Sequence, residues 1–225
     1  MPENQAHGKI WEKDLGMNVY KATEAELKSV SHTAPIDVPR AFNRLDGTDI
    51  SVKVSGTNAI DMGDIERIYK EVSSGESIHM TVVCWEQKNP TTKALKSITE
   101  VDLTNSVVLL FGTATLSDIQ ALVACVKAIP KNARTAEHTK TYKQMAATLK
   151  QRHGGLIHYA PKVDTKNQRR VQGRISKFSE FLQKHPERIV AQSQNGEFRG
   201  GKITEEILST KRVRSKKPAP DSAPR

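Results

Sequence analysis

The chain holds 225 residues, 36% of them hydrophobic, with two cysteines and a net charge of +10. That length suffices for one sizeable domain, no run approaches the roughly 18 apolar residues of a membrane span, and two thiols exclude a disulfide framework or a zinc finger. Cys84 and Cys125 lie inside apolar runs and read as buried thiols of a reducing compartment. The polar start, Met1-Pro2-Glu3-Asn4-Gln5, lacks a signal-peptide core, so a cytoplasmic, intracellular location is expected.

Residues 1–9 read as loosely attached. A helix is predicted over 23–30, where Thr23 and Glu26 have the spacing of a capping box. Pro39 at a first turn predicts a short helix over 38–45. Asp46-Gly47 then turns the chain into a strand ending at Val54. Alternation puts Asp49, Ser51 and Lys53 on one face and Ile50, Val52 and Val54 on the other. After Gly56-Thr57-Asn58, residues 61–72 predict an amphipathic helix. Its apolar positions Ile65, Ile68, Tyr69 and Val72 keep the helical period, and Asp61 and Asp64 lie near its start. An apolar strand over 79–85, a turn at Asn89-Pro90-Thr91 and a return strand over 94–103 form a hairpin. Val107 to Phe111 predicts another short strand, closed by Gly112.

From Ser117, read as a cap, the chain turns helical as far as Pro130. A second helix covers 139–152 and ends at Gly154-Gly155. Residues 156–163 and 169–175 predict paired strands, with Gln168, Arg170, Gln172 and Arg174 facing one way. A helix from Phe178 stops before Pro186, and 189–191 form a last short strand. The fold class expected is α/β of the mixed α+β kind, a central mixed β-sheet flanked by helices. The division expected is an acidic core over 1–112, a basic half over 113–208 packed on the same core, and a disordered basic tail over 209–225.

Charge follows that division. Residues 1–112 hold 12 Lys/Arg against 16 Asp/Glu, whereas residues 113–225 hold 23 against 9. An acidic chemical centre beside a polyanion-gripping surface is implied, with nucleic acid the commonest partner and an anionic membrane surface the alternative. The chain lacks Walker, Gly-x-Gly-x-x-Gly, Gly-x-Ser-x-Gly and His-Glu-x-x-His patterns. Its seven histidines are scattered, without a close pair at ligand spacing.

Two arrangements have the residue types of a catalytic metal site. One is Asp46, Asp49 and Lys53, joined by Asp37. A carboxylate holds a divalent cation that lowers the pKa of a bound water, and the lysine positions that water or meets phosphate charge. The other joins Asp61 or Asp64 to Glu86 and Lys88. A solvated edge strand is the plainer alternative for the first. In the basic half, Lys162, Lys166, Arg169, Arg170, Gln172 and Arg174, with His158 and Tyr159 among them, could enter a DNA groove. Arginine there reads guanine, glutamine reads adenine, and lysine meets phosphate; a solvated basic hairpin is the alternative. Arg199 with Gly200-Gly201 reads as a phosphate-contacting loop or a plain turn. The basic cluster at 211–217 would add salt-dependent, non-specific affinity.

The order of helix, strand with acid and lysine, Gly-Thr-Asn, amphipathic helix, apolar strand, and hairpin with Val101-Asp102-Leu103 resembles a known core. It is that of the PD-(D/E)XK nucleases, in particular the type II restriction endonucleases, over roughly residues 20–112. Asp49-Ile-Ser-Val-Lys53-Val-Ser-Gly looks like their strand carrying the catalytic lysine. The resemblance implies Mg2+-dependent, sequence-specific hydrolysis of double-stranded DNA leaving a 5′-phosphate, often by a homodimer with one site per strand. Asp49 and Asp46 would bind Mg2+, with Asp37 assisting, and Lys53 would orient the attacking water. The chain departs from the pattern at Ser51, where the family has Glu or Asp two residues before the lysine. The second carboxylate must then come from Asp49, Asp46 or Asp37, or the site is not catalytic. The alternative function is a non-catalytic nucleic-acid-binding protein that uses the same basic half.

Overall fold

The computed structural model describes residues 3–31, 34–130, 133–163 and 168–208, with side chains from residue 8 onward. Lys166 and the tail 209–225 lie outside the described residues. Helix α1 (Glu3–Asp14) runs into a π-helical turn (Leu15–Val19), and helix α2 (Glu24–Ser29) follows. Next come β1 (Asp49–Ser55), β2 (Ile60–Asp64), α3 (Ile65–Ser73), β3 (Ile78–Asn89) and β4 (Thr92–Asp102). Helices α4 (Val107–Phe111), α5 (Leu116–Lys127) and α6 (Ala136–His153) lead to β5 (His158–Val163) and β6 (Arg169–Ile175). The chain then forms α7 (Phe178–Lys184), β7 (Ile189–Ser193), β8 (Glu197–Phe198), β9 (Gly201–Lys202) and β10 (Glu206–Leu208).

The fold is mixed α+β, with a central mixed sheet and flanking helices. In that sheet β1 runs parallel to β3, β3 and β4 form an antiparallel hairpin, and β4 also pairs with β7 and β10. A second, antiparallel sheet has the order β2-β6-β5. Both sheets therefore draw strands from before and after residue 112. Strand alternation gives the central sheet two buried faces. Ile78, Met80, Val82 and Val101 enter a core with α3, α4, α5, α6 and the second sheet. Ile50, Val52, Val83 and Ile98 enter a second core with Trp11, Leu15, Val19, Tyr20 and Phe198. Among the described residues no helix is long and apolar enough to cross a membrane.

Five local expectations are corrected. Residues 3–9 belong to helix α1 rather than to a loose end, and the chain just after them is anchored: Trp11, Leu15 and Val19 recur every four residues as a buried stripe, and Trp11 Nε1 donates to the Thr204 carbonyl at 2.8 Å. Residues 38–45 are turns, because Val38 pairs with Ile50 as an isolated antiparallel bridge. The first turn of the helix predicted over 61–72 is strand β2. Gly63, at φ +104°, bends the chain there, and backbone pairing with β6 outweighs the helical period; Asp64 then caps α3, accepting from the Arg67 N–H at 3.2 Å. Val107 to Phe111 is helix α4, since five apolar residues are too few to separate strand from buried helix by period. The expected capping box at Thr23 and Glu26 is present, whereas α5 is capped by Thr115 with Asp118 rather than by Ser117.

Candidate functional site

The register of β1 against β3 pairs Asp49, Ser51 and Lys53 with Ile78, Met80 and Val82, so these three point toward the α3 side of the sheet. Asp46, before the strand, closes on the opposite side. Asp46 and Asp49 therefore do not form the expected metal pair. Each is instead neutralised by an arginine. Arg40 donates to Asp49 Oδ2 from Nε at 2.9 Å and from Nη2 at 2.6 Å, and its backbone N–H reaches Oδ1 at 2.6 Å. Arg199 Nη2 donates to Asp46 Oδ2 at 2.7 Å. Burial alone would raise the Asp46 carboxyl, but Arg199 holds it below its ordinary value.

Asp37 and Lys53 do come together, at the edge of β1 away from β3. Asp37 Oδ2 accepts from the Val52 N–H at 2.7 Å and lies 3.6 Å from Lys53 Nζ. Lys53 Nζ donates to Ser51 Oγ at 2.6 Å, and Ser51 Oγ donates to the Pro35 carbonyl at 2.9 Å. Burial pushes the Asp37 carboxyl up despite the nearby ammonium. Glu12 of α1 joins the cluster: burial, and then the charge of Asp37, push its carboxyl up as well. Sequence reasoning missed Glu12. The spacing of Trp11, Leu15 and Val19 was the signal that would have shown the helix carrying it.

A cavity of about 350 Å3 opens beside Ser51 and Lys53, between the central sheet, α3 and β2. Its polar lining is completed by Asp64, Arg67, Glu71 and Arg170. Burial, and then the Asp49 charge, push the Glu71 carboxyl up.

The basic constellation is only partly assembled. Lys162, Arg170, Gln172 and Arg174 share one face of the second sheet, by the registers Lys162↔Arg170 and His158↔Arg174. Burial, followed by the charges of Lys150 and Arg174, pushes the His158 imidazole down. Arg174 Nε donates to Asp61 Oδ1 at 2.7 Å, and Lys162 Nζ lies 3.9 Å from the same carboxylate. Arg169 points elsewhere: Nη1 donates to the Lys127 and Ile129 carbonyls, each at 2.9 Å, closing the C-terminus of α5. The second predicted metal arrangement is likewise dispersed, because Asp61 is taken by Arg174, Asp64 caps α3 and Lys88 pairs with Glu206.

On the other face of the central sheet, Asp46, His79 and Glu100 bring ligand atoms within 4.8 Å of one another. Glu100 is fully buried. Its Oε1 lies 2.7 Å from His79 Nδ1 and accepts from Arg199 Nη1 at 2.7 Å, while Tyr20 donates to Oε2 at 3.0 Å. Burial and the adjacent Glu100 charge push the Tyr20 hydroxyl up, keeping it a donor. A guanidinium thus already balances the two carboxylates, and this group could take a metal only if Arg199 swung away. Arg199 is therefore a half-buried tie to Glu100 and Asp46 rather than a phosphate-contacting loop residue. Spacing along the chain did not reveal His79, because Glu100 reaches it from the neighbouring strand and Asp46 from the turn before β1.

Comparison with family models, with curated proteins and with solved structures finds no match.

Proposed function

We propose that this chain hydrolyses nucleic-acid phosphodiesters with a divalent cation, through a site built on Glu12, Asp37, Ser51 and Lys53. One observation carries the reading. Lys53, from the acidic half, and Arg170, from the basic half, line the same cavity, so a strand held on the basic face passes the carboxylates at the edge of β1. The PD-(D/E)XK resemblance names the finer terms: double-stranded DNA as substrate, Mg2+ as cation and a homodimer cutting both strands.

The residues fit a hard cation. Burial raises both the Asp37 and Glu12 carboxyls, the Asp37 charge raises Glu12 further, and carboxylates held in this way are relieved by positive charge. Glu12 supplies the second acid that Ser51 cannot. A bound divalent cation would lower the pKa of a coordinated water and shield the phosphate. Asp37 and Glu12 would hold that cation. Lys53, braced by Ser51 Oγ, would orient the attacking water or meet charge on the phosphate. Arg170, Lys162 and Arg174 would position the backbone.

The test is a long duplex DNA incubated with the purified chain, with Mg2+ or with EDTA, and resolved on a gel. Cleavage only with Mg2+ is expected. Asp37→Asn and Lys53→Ala should each slow it by about 100-fold or more while leaving retardation of the DNA in EDTA intact. DNA that is retarded but never cut sinks the enzyme reading. The second reading, a non-catalytic nucleic-acid binder, would then stand; it is favoured by the two arginine-neutralised carboxylates, Asp46 and Asp49, and by Ser51.

A further inference from the structure

The cavity beside Lys53 is larger and greasier than a phosphate group requires. Its floor is Met62, Ile68, Val72, Ile78, Met80 and Leu103, each at most 7% exposed. Its rim is charged, with Lys53, Arg67 and Arg170 against Asp64 and Glu71. Protein cores pack with few voids larger than a water molecule, and a cavity of about 350 Å3 falls within the range of small-ligand sites. Phosphate and sugar are polar and would be served by the rim alone. The apolar floor needs an occupant with a flat apolar face, and the rim carboxylates need one with amino groups at its edge. A nucleobase has both, joined to an anion that the three rim cations match.

We propose that this cavity receives a single unstacked nucleobase from the strand bound at Lys53. The substrate class is then nucleic acid carrying an unpaired or easily extruded nucleotide, rather than an undisturbed duplex. The inference rests on the phosphodiesterase reading above and deepens it. A second feature agrees with it. Gln172, which stands behind the lining rather than in it, pairs in register with Asp64 of the rim and lies two residues from Arg170, and its Oε1 is buried without a hydrogen-bond partner among the described residues. An amide oxygen left unpaired at 8% exposure is costly unless something donates to it.

Extruding a base costs least where it is already unpaired. The test therefore uses three oligonucleotides in EDTA, so that binding is read without cleavage: a matched duplex, the same duplex with one extra unpaired nucleotide, and the single strand. 2-Aminopurine at the unpaired position reports unstacking, and anisotropy of a terminal dye reports affinity. About tenfold tighter binding of the bulged duplex over the matched one is expected, with a several-fold rise in 2-aminopurine fluorescence. Ala34→Phe, which adds a ring at a residue lining the cavity, should abolish both the preference and the rise, with circular dichroism checking its fold. Equal affinity for bulged and matched duplexes overturns the inference, as does a preference without the fluorescence rise or a rise that survives in folded Ala34→Phe. In those outcomes nucleic acid still binds and the broader function stands. Failure to bind any of the three overturns both.

Discussion

Arg199 is a side chain whose loss should cost the fold heavily although it is partly exposed. It sits on a tight turn at φ +47°, reaches back to the central sheet and gives one hydrogen bond each to Glu100 and Asp46. Arg199→Ala leaves the backbone preference nearly unchanged, since neither residue favours positive φ. What changes is electrostatic. Removing one partner of a buried ion pair costs about 3–5 kcal/mol, because the remaining charge is stranded. Glu100 is fully buried, which argues for the whole penalty; the Arg199 side chain is 20% exposed and His79 stays 2.7 Å away, which argues for the lower end. Asp46, more exposed, adds at most about 1 kcal/mol. The expected loss is about 3 kcal/mol, or roughly 6–12 °C in Tm for a domain of this size. Urea unfolding followed by circular dichroism measures it. The same substitution in a Glu100→Gln background should cost about 2 kcal/mol less, because no buried charge is left behind. A loss under about 1 kcal/mol, or equal losses in both backgrounds, would refute the pairing argument.

Thr115→Ala should lower stability by about 1 kcal/mol, whereas Ser117→Ala should be near neutral; thermal melts of the pair discriminate between the two candidate caps of α5. Gly112→Ala should yield no soluble folded protein, since its Cβ would lie 1.7 Å from the His153 carbonyl oxygen at a backbone φ of +63°; ordinary expression and a native melt would contradict that geometry. Glu26, held down to about 2 by Arg44 and then by the Thr23 N–H, has a folded pKa below its unfolded one. Its stabilisation is therefore present above the ordinary carboxylate range and is lost as pH falls toward 2. Arg44→Ala should flatten that part of the acid-unfolding curve, and a curve superimposable on the wild type would remove Arg44 as the cause.

Where neighbours along the chain decide the outcome, the sequence is a good guide. The alternation of β1, the Asn89-Pro90-Thr91 turn between β3 and β4, the Thr23–Glu26 box and the Gly154 stop of α6 all follow from torsional preference and from hydrogen bonds a few residues long. The same reading fails at Val107 to Phe111, whose five residues carry too little period, and at Ile60 to Asp64, where a strand 113 residues away supplies the partner. For the site, alternation correctly put Ser51 and Lys53 on one face. It could not foresee that Arg40 and Arg199 would neutralise Asp49 and Asp46, or that α1 would bring Glu12 to the edge of β1.

By itself, then, the sequence determined the mixed α+β class, most element types and the split between an acidic and a basic half, because these depend on composition and on short-range sterics. Only the tertiary structure decided which charges cancel and which remain near the cavity. Ion pairs and shared burial join residues that are distant in the chain, and their strength depends on separation in space and on solvent access, neither of which local spacing encodes.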